Sequence, residues 1–138
     1  MRKIIVLLIL IPLLSYNSSK VEKNIVGKWK GEDEKNQIGY MTFDDEGFAT
    51  SEIEGKIVGG KEFEMNGKKG SMTYSVNFDE KPIQIDLILT LLETKEQMSM
   101  LLIAKFQEED VMIIASNFNE TRPIDFSPDN SITLHRTN

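Results

Sequence analysis

The chain has 138 residues, with 16 basic side chains against 22 acidic ones and a formal net charge of −6. This charge argues against nucleic acid as a partner, because binding to phosphates needs clustered Lys and Arg. The chain contains no cysteine. Disulfides, cysteine nucleophiles and thiolate-bound zinc are therefore excluded.

The first residues have the pattern of a secretory signal peptide. Arg2 and Lys3 precede an unbroken apolar run over residues 4–14, which is far shorter than the roughly 20 residues of a membrane-spanning helix. Small residues near a cleavage site follow at Ser15, Ser18 and Ser19. We expect residues 1–19 to be removed and the protein to be exported, either to a periplasm or outside the cell. Without a cysteine, the chain cannot carry a bacterial lipoprotein anchor.

Residues 20–138 are predicted to form one domain, long enough to bury about two-thirds of the surface of the unfolded chain. Apolar and polar residues alternate with the period of a half-buried strand, most plainly over residues 71–79. Asn66-Gly67 is the strongest hairpin signal. Strands are predicted over residues 25–31, 39–44, 47–54, 61–66, 71–79, 83–92, 98–106, 111–117 and 131–136.

These strands predict an all-β fold, a small antiparallel up-and-down barrel of about eight strands, because closing a sheet removes its two unpaired edges. A β-sandwich is the alternative. Gly59-Gly60 is interpreted as a break between two strands, since paired glycines favour a reversal of the chain.

Four short motifs occur in order along nearly the whole domain. They are Gly27-x-Trp29, Gly70-x-x-x-Tyr74, Lys81-Pro82-Ile83-x-Ile85-Asp86-Leu87 and Arg122-Pro123-x-x-Phe126. This succession resembles a bacterial family of small exported domains, described as lipocalin-like, that has no established activity. The chain departs from that family between Leu92 and Gln97, where a tight turn replaces a longer loop.

The resemblance implies a structural role for Trp29, at the closed end of the barrel beneath an arginine that is either Arg122 or Arg136. A guanidinium over an indole gains cation–π attraction and would seal the barrel floor. The functional alternative is that Trp29 lines a ligand site.

Methionines suggest where a ligand would bind. Met98 and Met100 share one face of a long strand, and Met72 and Met112 lie on neighbouring strands. Flexible thioethers suit an adaptable pocket, to which Tyr74 and Trp29 would contribute, although they also fill gaps in an ordinary core. On the opposite face, the apolar residues Ile88, Leu92, Leu101 and Ile103 predict a homodimer contact, another protein partner or a covering loop.

No constellation in the sequence predicts catalysis, a metal or a cofactor. His135 is the only histidine, and no serine lies in a nucleophile motif. The acids of residues 44–47 lack the spacing of a calcium loop. Asp86 is interpreted as an outward-facing acid; a buried position would instead raise its pKa and suit a general acid.

We therefore expect a non-enzymatic binding protein that holds a small hydrophobic ligand inside the barrel. The alternative is an envelope or inhibitor-type interaction protein with a filled barrel, acting through the loop over residues 117–130 or through an apolar sheet face.

Overall fold

A computed structural model of the chain describes residues 25–32, 38–117 and 119–137. Each of its strands pairs with the next in antiparallel fashion, and the last pairs with the first to close a barrel. The all-β barrel predicted from the sequence is thereby confirmed. The strands are β1 (Gly27–Glu32), β2 (Ile38–Phe43), β3 (Ala49–Ile53), β4 (Lys56–Met65), β5 (Lys68–Asn77), β6 (Ile83–Leu91), β7 (Gln97–Glu108), β8 (Val111–Ser116) and β9 (Ser131–Arg136).

The predicted signal peptide lies outside the described residues. Within them, no helix is long and apolar enough to span a membrane.

Strand β4 explains how nine strands close an antiparallel ring. Strand directions alternate around such a ring, so a simple closed ring needs an even number. Residues 56–59 of β4 pair with β3, and residues 60–65 pair with β5 with a register shift between Gly60 and Phe63. The bend lies at Gly59 and Gly60, with φ of 111° and 84°. These are values that glycine adopts without strain.

Residues 47 and 48, just before β3, contact β5 directly. Phe48 forms an isolated bridge with Thr73, and the Tyr74 amide donates to the Gly47 carbonyl over 3.0 Å. β4 is therefore sharply bent and separates β3 from β5 over only part of their length. The other eight strands alternate in direction around the ring. The sequence interpretation of Gly59-Gly60 as a break was wrong, because the strand continues through both glycines.

This topology defines two ends of the barrel. The closed end carries the turns β2–β3, β5–β6 and β7–β8, together with the start of β1 and the end of β9. The open end carries the turns β3–β4, β4–β5 and β6–β7. The side chains that are buried completely gather in the half next to the closed end and include Trp29, Phe43, Ile85 and Met112.

The loop over residues 117–130 lies against the outside of β6 and β7. Arg122 donates to the Asp86 carboxylate at 2.6 Å and to the Leu102 carbonyl at 2.8 Å. Further along, the Lys105 ammonium lies 4.7 Å from the centre of the Phe126 ring. Ile103 points outward between these contacts and is only 2% exposed. Of the three explanations for apolar residues on this face, the covering loop accounts for Ile103.

Candidate functional site

Trp29 lies in the floor of the barrel beneath Arg136. The β1–β9 register places the two residues opposite each other, and the guanidinium carbon lies 4.2 Å from the ring centre. The indole Nε1 donates to the Ile25 carbonyl at 2.9 Å, and the ring packs against Phe106 at a centroid distance of 6.1 Å. Trp29 is completely buried. The surroundings of Trp29 are those of a packed floor.

Two further bonds hold the Arg136 guanidinium in place. Its Nη1 donates to the Val26 carbonyl at 2.6 Å, and its Nε donates to the Asp110 carboxylate at 2.8 Å. The planar guanidinium therefore stacks on the indole, while its edge bonds to the residue just before β1 and to the β7–β8 turn. Arg122, the other candidate for this position, lies on the outer wall and pairs with Asp86.

Asp86 faces outward, as expected from its strand position. Its carboxylate forms the ion pair with Arg122, and the two side chains are 35% and 23% exposed. This pairing fastens the loop over residues 117–130 to the barrel wall, which is a structural role.

Tyr74 lies in the closed half beside Phe43. Its hydroxyl donates to the Asp44 carbonyl at 2.6 Å, and its ring meets Phe43 edge-on at a centroid distance of 4.9 Å. Burial raises the pKa of Tyr74 above its ordinary value of 10.0, and the charges of Asp44 and Asp45 raise it further. The phenol thus stays protonated and ties β5 to the β2–β3 turn.

The four candidate methionines occupy two environments. Met72 and Met112 are 8% and 0% exposed and belong to the core. Met98 and Met100 are 58% and 43% exposed. Both nevertheless occupy inward-facing positions, because their register partners Leu89 and Leu87 lie on the face of β6 that lines the barrel.

Met98 opens onto a cleft of about 250 Å³ at the open end of the barrel. The cleft lies between the β4–β5 and β6–β7 turns. Beside it, the pairing of β5 with β6 extends to the Leu92 amide, which donates to the Lys69 carbonyl over 3.0 Å. Its wall is apolar and its rim is polar. The lining residues are Met65, Leu89, Leu91 and Met98 in the wall, and Asn66, Lys68, Glu96 and Gln97 in the rim.

The structure therefore separates the residues that the sequence grouped as ligand-binding. Trp29, Tyr74 and Met112 lie in the closed half, while Met98 and Met100 lie near the open end. Sequence reasoning missed Met65, Leu89 and Leu91. Alternation of apolar and polar residues indicates the face of a strand residue, but it gives no measure of the distance from either end of the barrel.

The described interior contains no polar or charged side chain that is fully buried. In the same residues, no group of three or more His, Cys, Asp or Glu is placed to hold a metal ion. His135 is exposed on β9, opposite Lys30 and Val111. The cleft wall offers apolar contact, and the polar groups near it are confined to its rim.

Comparison with known proteins yields no relative: no family model matches the chain, and neither does any curated protein or solved structure. The function must therefore be inferred from the geometry of the barrel.

Proposed function

We propose that this chain is an exported, non-enzymatic binding protein that holds a small hydrophobic molecule at the open end of its barrel. The observation that carries the proposal is the exposure of Met98 and Met100, at 58% and 43%, on positions that face into the barrel. Large apolar side chains in such positions are normally covered by core packing, and a ligand would cover them here.

The chemistry of the cleft favours a hydrophobe with a polar end. Its volume of about 250 Å³ suits a short hydrocarbon segment. The thioethers of Met65 and Met98 adapt to irregular apolar shapes. Lys68 and Gln97 on the rim offer hydrogen-bond donors to a polar group that stays at the surface.

Export is part of this proposal and is supported by the charged and apolar pattern of residues 1–14. The resemblance to lipocalin-like exported domains supports it as well, through the order of motifs from Gly27 to Phe126. Fold-level likeness alone licenses no ligand, so the cleft carries the functional claim.

The proposal is tested by titrating the protein with a dansyl-labelled fatty acid, whose fluorescence rises in apolar surroundings. The double variant Met98→Gln, Met100→Gln keeps side-chain length but removes apolar surface. We expect its affinity for the probe to fall by about tenfold or more, because burial of even one apolar side chain contributes at least that much binding free energy. Both residues are well exposed, so the variant should fold.

The matched control is Ile57→Gln. Ile57 is 60% exposed, but it pairs with Glu52 and points out of the barrel. This variant should bind the probe as the unmodified chain does. Equal affinity in the methionine double variant and the unmodified chain would refute binding at the open end.

An interaction protein is the second candidate function, and one observation favours it. Ile124 is 90% exposed in the loop over residues 117–130, which Arg122 fastens to the barrel wall. An apolar side chain on a fastened loop suits contact with another protein. A barrel that binds no hydrophobic probe, together with a partner lost on Ile124→Ser, would favour this function over the first.

A further inference from the structure

Exposed apolar side chains of the barrel wall are concentrated toward one end. Among the described residues, the large apolar side chains that are most exposed on strands are Ile38, Ile53, Ile57, Met98 and Met100, at 44%, 54%, 60%, 58% and 43%. All five lie in the half of the barrel next to the open end. Ile38 and Ile57 point outward, while the other three point inward, so apolar side chains occur on both sides of the rim.

Charge is distributed unevenly between the two ends. The closed-end turns are strongly acidic, with Asp44, Asp45, Glu46, Asp79, Glu80, Glu109 and Asp110 in or beside them. At the open end, each described hairpin carries a lysine close to its tip, and these are Lys56, Lys68 and Lys95. Glu54, Glu64, Glu93 and Glu96 lie near these lysines, so the described open-end hairpins lack the excess of negative charge found in the closed-end turns.

We propose that the open end of the barrel docks on the surface of a lipid bilayer that contains anionic lipids. The exposed isoleucines and methionines would enter the boundary between headgroups and acyl chains. Lysines beside them can keep their ammonium groups among the headgroups while their stems follow the apolar surface. The acidic closed end is repelled by an anionic surface, which orients the open end toward the bilayer.

The arrangement suits a bilayer better than a protein partner. Ile38 and Ile57 stand outside the rim, Ile53 and Met98 stand inside it, and the cleft opens between the hairpin tips. A rigid protein partner would need a surface complementary to these separated apolar side chains and to the cleft between them. A fluid bilayer can accommodate each hairpin tip separately. Docking of this kind does not require the cleft to hold a ligand, so it stands independently of the proposed function.

The orientation can be tested with fluorescent labels because the chain contains no cysteine. Single cysteines are introduced in the full chain as Ile57→Cys and Thr94→Cys at the open end, and as Glu46→Cys and Asp79→Cys at the closed end. Each is labelled with an environment-sensitive nitrobenzoxadiazole group and mixed with vesicles of phosphatidylcholine and phosphatidylglycerol.

We expect the emission of the two open-end labels to rise and shift to the blue, while the closed-end labels do not change. Residue 25 enters the barrel at the closed end, so binding through the N-terminal apolar run alone would bring the closed-end labels to the bilayer instead. A blue shift confined to the closed-end labels, or no shift at any position, would overturn the proposal.

A second measurement uses affinity for the same vesicles. The double variant Ile38→Ser, Ile57→Ser should bind at least about tenfold more weakly than the unmodified chain, because two apolar side chains no longer enter the bilayer. Ile124→Ser is the control, since Ile124 is 90% exposed but belongs to the loop on the barrel wall. Equal losses in the two variants would contradict docking through the open end.

Discussion

Arg136 covers the indole of Trp29, with 4.2 Å between the guanidinium carbon and the ring centre. The two residues come from opposite ends of the described chain and meet because β9 pairs with β1. Their contact therefore helps to join the last strand to the first, and it also covers the floor of the barrel. Several stability predictions depend on this half of the molecule.

Arg136→Lys keeps the positive charge but removes the planar fork that stacks on Trp29 and bonds to Val26 and Asp110. We expect the free energy of unfolding to fall by about 1 to 2 kcal/mol, since lysine cannot reproduce these contacts together. Urea unfolding, followed by the fluorescence of the single tryptophan, measures the change. Lys105→Arg, at the exposed contact with Phe126, should have little effect. An unchanged midpoint for Arg136→Lys would show that the stacking is energetically irrelevant.

Trp29→Ala removes the largest side chain that is completely buried. The loss of buried apolar surface and the cavity left behind should lower the free energy of unfolding by about 3 to 5 kcal/mol. Thermal unfolding followed by far-ultraviolet circular dichroism measures this without the tryptophan signal. A melting temperature close to that of the unmodified chain would contradict the position of Trp29 in the floor.

Gly59→Ala tests the bend of β4. A Cβ at this position would collide with the Ala49 carbonyl and lie 2.6 Å from the Met72 methyl, and the φ of +111° is strained for alanine. We expect a loss of about 3 kcal/mol or more in the free energy of unfolding. Gly55→Ala, with φ of +79° and open space around it, should cost only about 1 kcal/mol. Similar losses in denaturant titrations of the two variants would refute the sharp bend.

Tyr74→Phe removes the hydroxyl that donates to the Asp44 carbonyl. Near neutral pH the expected loss is about 1 kcal/mol. Because burial raises the pKa of Tyr74 in the folded protein, the unfolded chain loses this proton first as the pH rises. The folded state is therefore destabilised progressively above about pH 10, the ordinary pKa of tyrosine.

Tyr74→Phe should reduce this alkaline loss of stability, measured as the denaturant midpoint between neutral pH and strongly alkaline pH. Tyr40→Phe serves as the comparison, since lysines titrate in both variants alike. If the unmodified chain and Tyr74→Phe lost stability in parallel, the buried phenol would not be the cause.

Most of the fold follows from the sequence, because alternation of apolar and polar residues specifies the face of each strand. It assigned Met98 and Met100 to the same face of one strand, and in the structure both occupy inward-facing positions. The predicted break at Gly59-Gly60 was wrong, because glycines that permit a turn between two strands also permit a sharp bend within one strand.

The candidate site was harder to predict. Alternation gives the face of a residue but not its depth along the barrel axis, so Met98 and Met112 looked equivalent although one is exposed and the other fully buried. The cleft also depends on the approach of the β4–β5 turn to the β6–β7 turn. That approach follows from the pairing of β5 with β6 up to Gly70 and Leu91, which is a feature of tertiary structure that no local pattern reveals.

Native mass spectrometry of the purified protein, recorded before and after lipid extraction, is the most direct test of ligand binding at the open end of the barrel. We expect a small hydrophobic molecule that co-purifies with the barrel, is removed by extraction, and is absent from the Met98→Gln, Met100→Gln variant. A bare protein before extraction that also fails to bind added fatty acid would contradict it.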